Sequence, residues 1–88
     1  MLYLTDEYTG AAQILEEALG ISRDVADRAL EASTVNSLGT LRYLTGDYPG
    51  SARFQEEAVD ICREIGDQSG QAYGLNGLGR TWLASAMS

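Results

Sequence analysis

The sequence predicts an all-α fold of tandem antiparallel helix pairs, and three observations predict it. First, the chain repeats itself. Shifted by forty residues, Tyr3-Leu4-Thr5 falls on Tyr43-Leu44-Thr45, Glu16-Glu17-Ala18 on Glu56-Glu57-Ala58, and Asn36, Leu38 and Gly39 on Asn76, Leu78 and Gly79. The ungapped overlap of 48 positions (88 − 40) holds 16 identities, where composition alone gives about three. A fixed period of 20–50 residues marks a repeat architecture. Second, apolar residues recur at helical spacing, i, i+3, i+4, i+7, and none of the chain alternates with the period of a strand. Third, Gly-Asp steps at Gly46-Asp47 and Gly66-Asp67 separate the apolar runs, as residues that close one helix and cap the next.

Taken in order, Met1 to Asp6 matches the second half of a helix whose first half is missing, so a turn is expected before Tyr8. Tyr8 to about Ser22 is the next helix, with Ala11, Ile14, Leu15, Ala18, Leu19 and Ile21 on its buried face. Asp24 and Asp27 are candidate caps for a third helix, from near Ala26 to near Thr45, whose apolar face is Ala32, Val35, Leu38, Leu41 and Leu44. An interior glycine costs a helix about 1 kcal/mol, so the recurring Gly39 and Gly79 read as points where a neighbouring helix crosses closely. Gly46 suits the left-handed residue after a helix, Asp47 the N-cap and Pro49 the first turn of a fourth helix, Tyr48 to Glu64. That helix turns Phe54, Ala58, Ile61, Cys62 and Ile65 inward. The fifth spans about Gln68 to Ala86, with Leu75, Leu78, Trp82 and Met87 apolar. The expected organisation is one domain: a partial repeat at 1–25, a full repeat at 26–65, and the first helix of a further repeat at 66–88.

Composition narrows the function. A net charge of −7 disfavours nucleic acid and anionic membrane surfaces, which both demand a basic face. There is no apolar run near 18 residues and no basic, apolar N-terminal leader, so a cytoplasmic location is expected. All six cations are arginine, which points to a GC-rich, bacterial source. With no histidine and a single cysteine, Cys62, no nucleophile–base pair or metal-ligand set can be assembled, and neither enzyme activity nor a cofactor is expected. Gly74-Leu75-Asn76-Gly77-Leu78-Gly79 lacks both the spacing and the preceding strand of a dinucleotide loop, and close helix crossing accounts for it better. Glu16/Glu17 and Glu56/Glu57 are adjacent on a helix, diverge by about 100°, and read as solvated faces.

Leu-Gly in a first helix, Gly-Asp-Tyr at the turn and a small residue late in the second helix resemble the tetratricopeptide repeat. The common unit is 34 residues; this one is 40 and carries an Ile-Gly-Asp connector. It is similar to the 40-residue repeats of G-protein-signalling modulators and kinesin light chain. It is most similar to the repeat tails of actinobacterial signal-transduction ATPase regulators, through Arg42-Tyr43-Leu44-Thr45-Gly46-Asp47-Tyr48 and Glu56-Glu57-Ala58. HEAT and armadillo repeats lack this pairing and rank second. Three positions depart from the family pattern: Arg42 stands where tyrosine is common, Ser51 where alanine is preferred, and Gln55 where a large apolar residue is usual. They predict a looser core in the second repeat.

The resemblance implies a protein-interaction module that holds a peptide or partner segment in a concave groove lined by the first helix of each repeat. One step off the buried stripe, those positions are Ser33, Asn36, Thr40 and Tyr43 in one copy, Tyr73, Asn76, Arg80 and Leu83 in the next, and Tyr3 in the first. Asparagine can hold a peptide backbone, arginine can take a carboxylate bidentately, and tyrosine gives stacking area. The alternative is a structural spacer or self-association unit of a larger regulatory protein, with no ligand of its own. About three repeats are needed to bury a continuous core, and Trp82, Leu83 and Met87 have no following helix. A homo-oligomer is therefore expected, most simply a dimer through the last helix.

Overall fold

The computed structural model describes residues 4–87, and side chains over residues 7–87. It is all-α: α1 (Leu4–Asp24), α2 (Arg28–Leu44), α3 (Tyr48–Ile65) and α4 (Gln68–Met87), with no strand among the described residues. Each helix packs on the next in the chain, and α2 also touches α4. The result is a slab of 39 × 29 × 16 Å.

The three turns share one chemistry. Asp27, Asp47 and Asp67 are the N-caps of α2, α3 and α4; their carboxylates accept from the amides of Leu30, Gly50 and Gly70 at 3.0, 3.0 and 2.9 Å. Each satisfies a first-turn N–H that has no partner within its helix. Asp24, the other candidate, is instead the last residue of α1. The residue before each capping Asp is left-handed: Ala26 at φ 57°, Gly46 at 84° and Gly66 at 76°. Ala26 is the repeat mate of Gly66 and carries the Cβ for which that conformation is unfavourable.

Among the described residues no turn precedes Tyr8: α1 runs unbroken from Leu4 to Asp24. Where the later repeat has Thr45-Gly46-Asp47, this one has Thr5-Asp6-Glu7, without the glycine that lets the chain reverse. Several residues of the expected apolar faces are exposed. Ile14 and Ile21 are exposed because α1 packs chiefly on α2, with Leu15 and Leu19 turned to the core. Leu44 and Ile65 lie at helix ends beside the turns, and Leu75 lies on the open side of α4; all three are exposed. Leu78 is only half-buried.

The core has two parts. Leu19, Val35, Leu38 and Ala58 form the larger, with Leu15 and Phe54 packed on it; Ala32, Ile61 and Cys62 form the smaller. Between α2 and α4, two polar residues in the N-terminal half of α3, Ser51 and Gln55, are buried. The Ser51 hydroxyl donates to the Gly39 carbonyl of α2 at 2.7 Å. Thr81 of α4 donates to Gln55 Oε1 at 2.8 Å and lies 3.2 Å from the Ser51 hydroxyl. A Cβ on Gly39 would stand 2.9 Å from Gln55 Cγ, and one on Gly77 2.9 Å from Gln55 Nε2. The looser core expected from Ser51 and Gln55 is thus a close-packed, hydrogen-bonded joint. Gly39 is a close crossing as expected; Gly79 is not, since nothing lies within 4 Å of where its Cβ would be.

Replacing Ala26 by glycine should raise the unfolding free energy by roughly 0.5–1 kcal/mol, the relief of a left-handed alanine less the entropy a glycine adds to the unfolded chain. Thr81→Val should lower it by about 1–3 kcal/mol, because the buried oxygens of Ser51 and Gln55 lose a partner that water cannot replace. Urea denaturation of each variant measures both.

Candidate protein-binding groove

α2 and α4 run side by side over the face of α3, and two clefts open along their seam. The first, about 340 Å³, lies between Ser33 and Asn36 of α2 and Gly70 and Tyr73 of α4, with Ala58 and Cys62 of α3 as its floor. Gly70 allows this approach, since a Cβ there would meet Cys62 Sγ at 2.7 Å. The second, about 540 Å³, lies at the other end of the seam. Tyr43 and Tyr48 form one wall, with rings tilted at 58° and centroids 5.7 Å apart; Arg80, Leu83 and Met87 form the other.

The residues selected from the sequence therefore divide. Ser33, Asn36 and Tyr73 meet in the first cleft, and Tyr43, Arg80 and Leu83 in the second. Thr40 and Asn76 are exposed between them and line neither; the Thr40 hydroxyl is turned back onto the Asn36 carbonyl at 3.2 Å. Tyr3 lies outside the described residues. Sequence reasoning missed Tyr48 and Cys62 as lining residues. Recurrence of Tyr8 at Tyr48 was a signal for the first, whereas Cys62 becomes visible only because Gly70 has no side chain.

Charge holds the α2 wall in place. Glu31, nearly buried, accepts from Arg23 of α1 at 3.2 Å and from Arg28 of its own helix at 2.8 Å. Arg23 also reaches Glu57 of α3 at 3.1 Å, and Arg28 pairs with Glu64 of α3. Burial alone would push the Glu31 carboxyl up, but the hydrogen bonds from Arg28 and Arg23 outweigh it and hold the group below its ordinary range. At the cleft floor the Cys62 thiol is pushed the other way, first by burial and then by the charge of Asp67, and so stays protonated. Among the described residues no group of His, Cys, Asp and Glu is placed to hold a metal ion, and no helix is long and apolar enough to cross a membrane.

An all-α array of antiparallel helix pairs, with capped turns and an open seam between alternate helices, defines a helical-repeat protein. Residues 32–65, from the middle of α2 through α3, match the family model of the tetratricopeptide repeat, and this segment is such a repeat. Tetratricopeptide repeats mediate protein–protein interactions and are typically non-catalytic. Comparison with curated proteins finds no match.

Acid should weaken the fold through Glu31. Its carboxyl titrates lower in the folded chain than its ordinary value of 4.5, so the unfolded chain takes up the proton first. The stabilisation is complete above that value and is lost as pH falls through it towards the folded one. Glu31→Gln should lower stability at neutral pH and make it less sensitive to pH below about 4.5, as read from denaturation midpoints across that range.

Proposed function

We propose that the chain is a non-catalytic interaction module that binds an extended segment of another protein along the α2–α4 seam. It acts as one repeat domain: a partial repeat at 1–25, a full one at 26–65 and the first helix of another at 66–88. The observation that carries this reading is the pair of clefts at the two ends of one seam, lined by residues that share a helical face.

The chemistry of the two ends differs. Ser33, Asn36 and Tyr73 offer donors and acceptors to a peptide backbone beside one aromatic ring. Tyr43, Leu83 and Met87 offer an apolar seat, with Arg80 beside it for a carboxylate. Ser33 and Tyr43 stand ten residues apart on α2, which is about 15 Å of helix. An extended segment of about five residues covers that span. The preferred ligand is therefore a short segment with a large apolar residue next to an acidic one at one end. The site is protein-directed and cytoplasmic, and a net charge of −7 disfavours nucleic acid as its ligand.

Selection of random peptides on the chain, followed by calorimetry, tests this. The selected peptides should share the acidic–apolar pair. The double variant Asn36→Ala, Arg80→Ala, which removes one lining side chain from each cleft, should bind them about tenfold more weakly, or about 1.4 kcal/mol, while its melting temperature stays within about two degrees of the parent. Failure to select any peptide, or unchanged binding by the double variant, would remove the groove reading.

A further inference from the structure

The two outer faces of the molecule are the two halves of an interface that it already contains. Under the forty-residue shift α1 is the repeat mate of α3, and α4 is the mate of α2. Within the chain, α2 and α3 form a tight pair. Their mates α4 and α1 lie at opposite ends of the array, and the surfaces with which they would make the same pair are both bare.

The burial values fit residue by residue. On α3, Ile61 is 3% exposed beneath α2, whereas its mate Ile21 on α1 is 53% exposed. Phe54 packs on the core, and its mate Ile14 is 69% exposed. On α2, Val35 is fully covered, and its mate Leu75 on α4 is 45% exposed. Gly39 admits Phe54 Cβ to 3.3 Å of where its own Cβ would be; its mate Gly79 faces nothing within 4 Å. Trp82, one turn further along α4, is 61% exposed.

Charge repeats in the same register. Arg23 of α1 bonds Glu57 of α3, across successive second helices. Their mates are Arg63, exposed on α3, and Glu17, exposed on α1. Laying α1 of a second copy on α4 would bring that Glu17 to Arg63. The surface area is consistent with an uncovered face. The chain exposes 5631 Å², against about 5,000 Å² for a compact monomer of 9.5 kDa. That excess is comparable with the roughly 800 Å² that each partner buries in a specific interface of standard size.

We propose that the chain self-associates head to tail, α1 of one copy docking on α4 of the next in the geometry of the internal α2–α3 pair. Ile14 of the incoming copy takes the place of Phe54 against Gly79, Ile21 packs beside Ala72 and Leu75, and Trp82 closes the end. This contact joins two different surfaces, so it leaves one free face at each end and adds copies until a ring closes or a filament grows. A symmetric dimer of α4 on α4 would leave Ile14 and Ile21 in water and give Arg63 no new partner.

Sedimentation equilibrium on the wild type, Ile14→Glu and Gly79→Glu decides the matter. Both sites are exposed, and far-ultraviolet circular dichroism checks that each variant keeps its helicity. From about 10 µM to about 1 mM, a range suited to contacts of this size, the wild-type average mass should rise past the dimer. Each variant alone should stay monomeric. Their equimolar mixture should stop at the dimer, because it contains one intact copy of each face. A concentration-independent wild-type monomer overturns the proposal. So does a dimer that survives Ile14→Glu, which would assign the contact to α4 alone. Neither substitution alters Ser33, Asn36, Tyr43, Tyr73 or Arg80, so peptide binding in the groove stands or falls separately.

Discussion

The arrangement depends on a polar joint in the N-terminal half of α3. Ser51 and Gln55 lie one helical turn apart and face both neighbouring helices. One hydroxyl reaches the Gly39 carbonyl of α2, and the Gln55 side chain meets Thr81 of α4. A glycine on each side makes this possible. With a Cβ at Gly39 or Gly77, Gln55 would be forced aside and its amide would lose its partner. The joint is directional in a way that apolar packing is not. Sliding α4 by one turn would leave buried oxygens unpaired, at a cost of a few kcal/mol. The register of α4 against α2, and so the alignment of the two clefts on their seam, follows from these hydrogen bonds.

A second constraint acts at the other end of α2. Glu31 gathers Arg23 and Arg28, which in turn hold Glu57 and Glu64. Exposed ion pairs contribute little individually. Here the shared carboxylate is nearly buried, and the five groups join three helices, so the network fixes how the C-terminus of α1 sits over α2 and α3. In the following copy Gln71 stands where Glu31 does, and Gln68 where Arg28 does. The network is therefore a feature of the first junction, and the hydrogen-bonded joint of the second. The repeat conserves helix spacing while the chemistry that locks each junction changes.

Much of this was legible in the sequence, because its strongest signals are local. The capping aspartates, Gly46 and Gly66 specify their turns through chemistry confined to a few residues, and all three turns between the helices lie where those residues stand. Gly39 was legible as a crossing for the same reason. What was not legible depended on how many neighbours a helix has. Ile14 and Ile21 carry a helical apolar period as good as that of Ile61, yet periodicity does not reveal whether a second helix is there to cover it. Gly79 repeats Gly39 in sequence without repeating its surroundings. Ser51 and Gln55 looked like losses to the core because the family pattern is apolar there. Their value came from Thr81, thirty residues beyond Ser51, a pairing that no local pattern encodes. The groove residues were chosen as one stripe, whereas the structure divides them between two clefts and leaves Thr40 and Asn76 in neither.

The last helix shows how these constraints combine. α4 contains Gly70, Gly74, Gly77 and Gly79, and each interior glycine disfavours the helix by about 1 kcal/mol relative to alanine. Intrinsic propensity therefore does little for it. Its order comes from the Asp67 cap, the Thr81 joint, and the close approach that three of those glycines permit to Cys62, Val59 and Gln55. Beyond Thr81, Trp82, Leu83 and Met87 are exposed, so the final turns have few contacts to hold them. The helix that forms one wall of the groove is thus the one whose stability comes most from its neighbours and least from its own sequence. Covering its open side would add packing where it is most lacking. Because Arg80 and Leu83 belong to that same stretch, whatever orders the outer face of α4 also orders the apolar end of the groove.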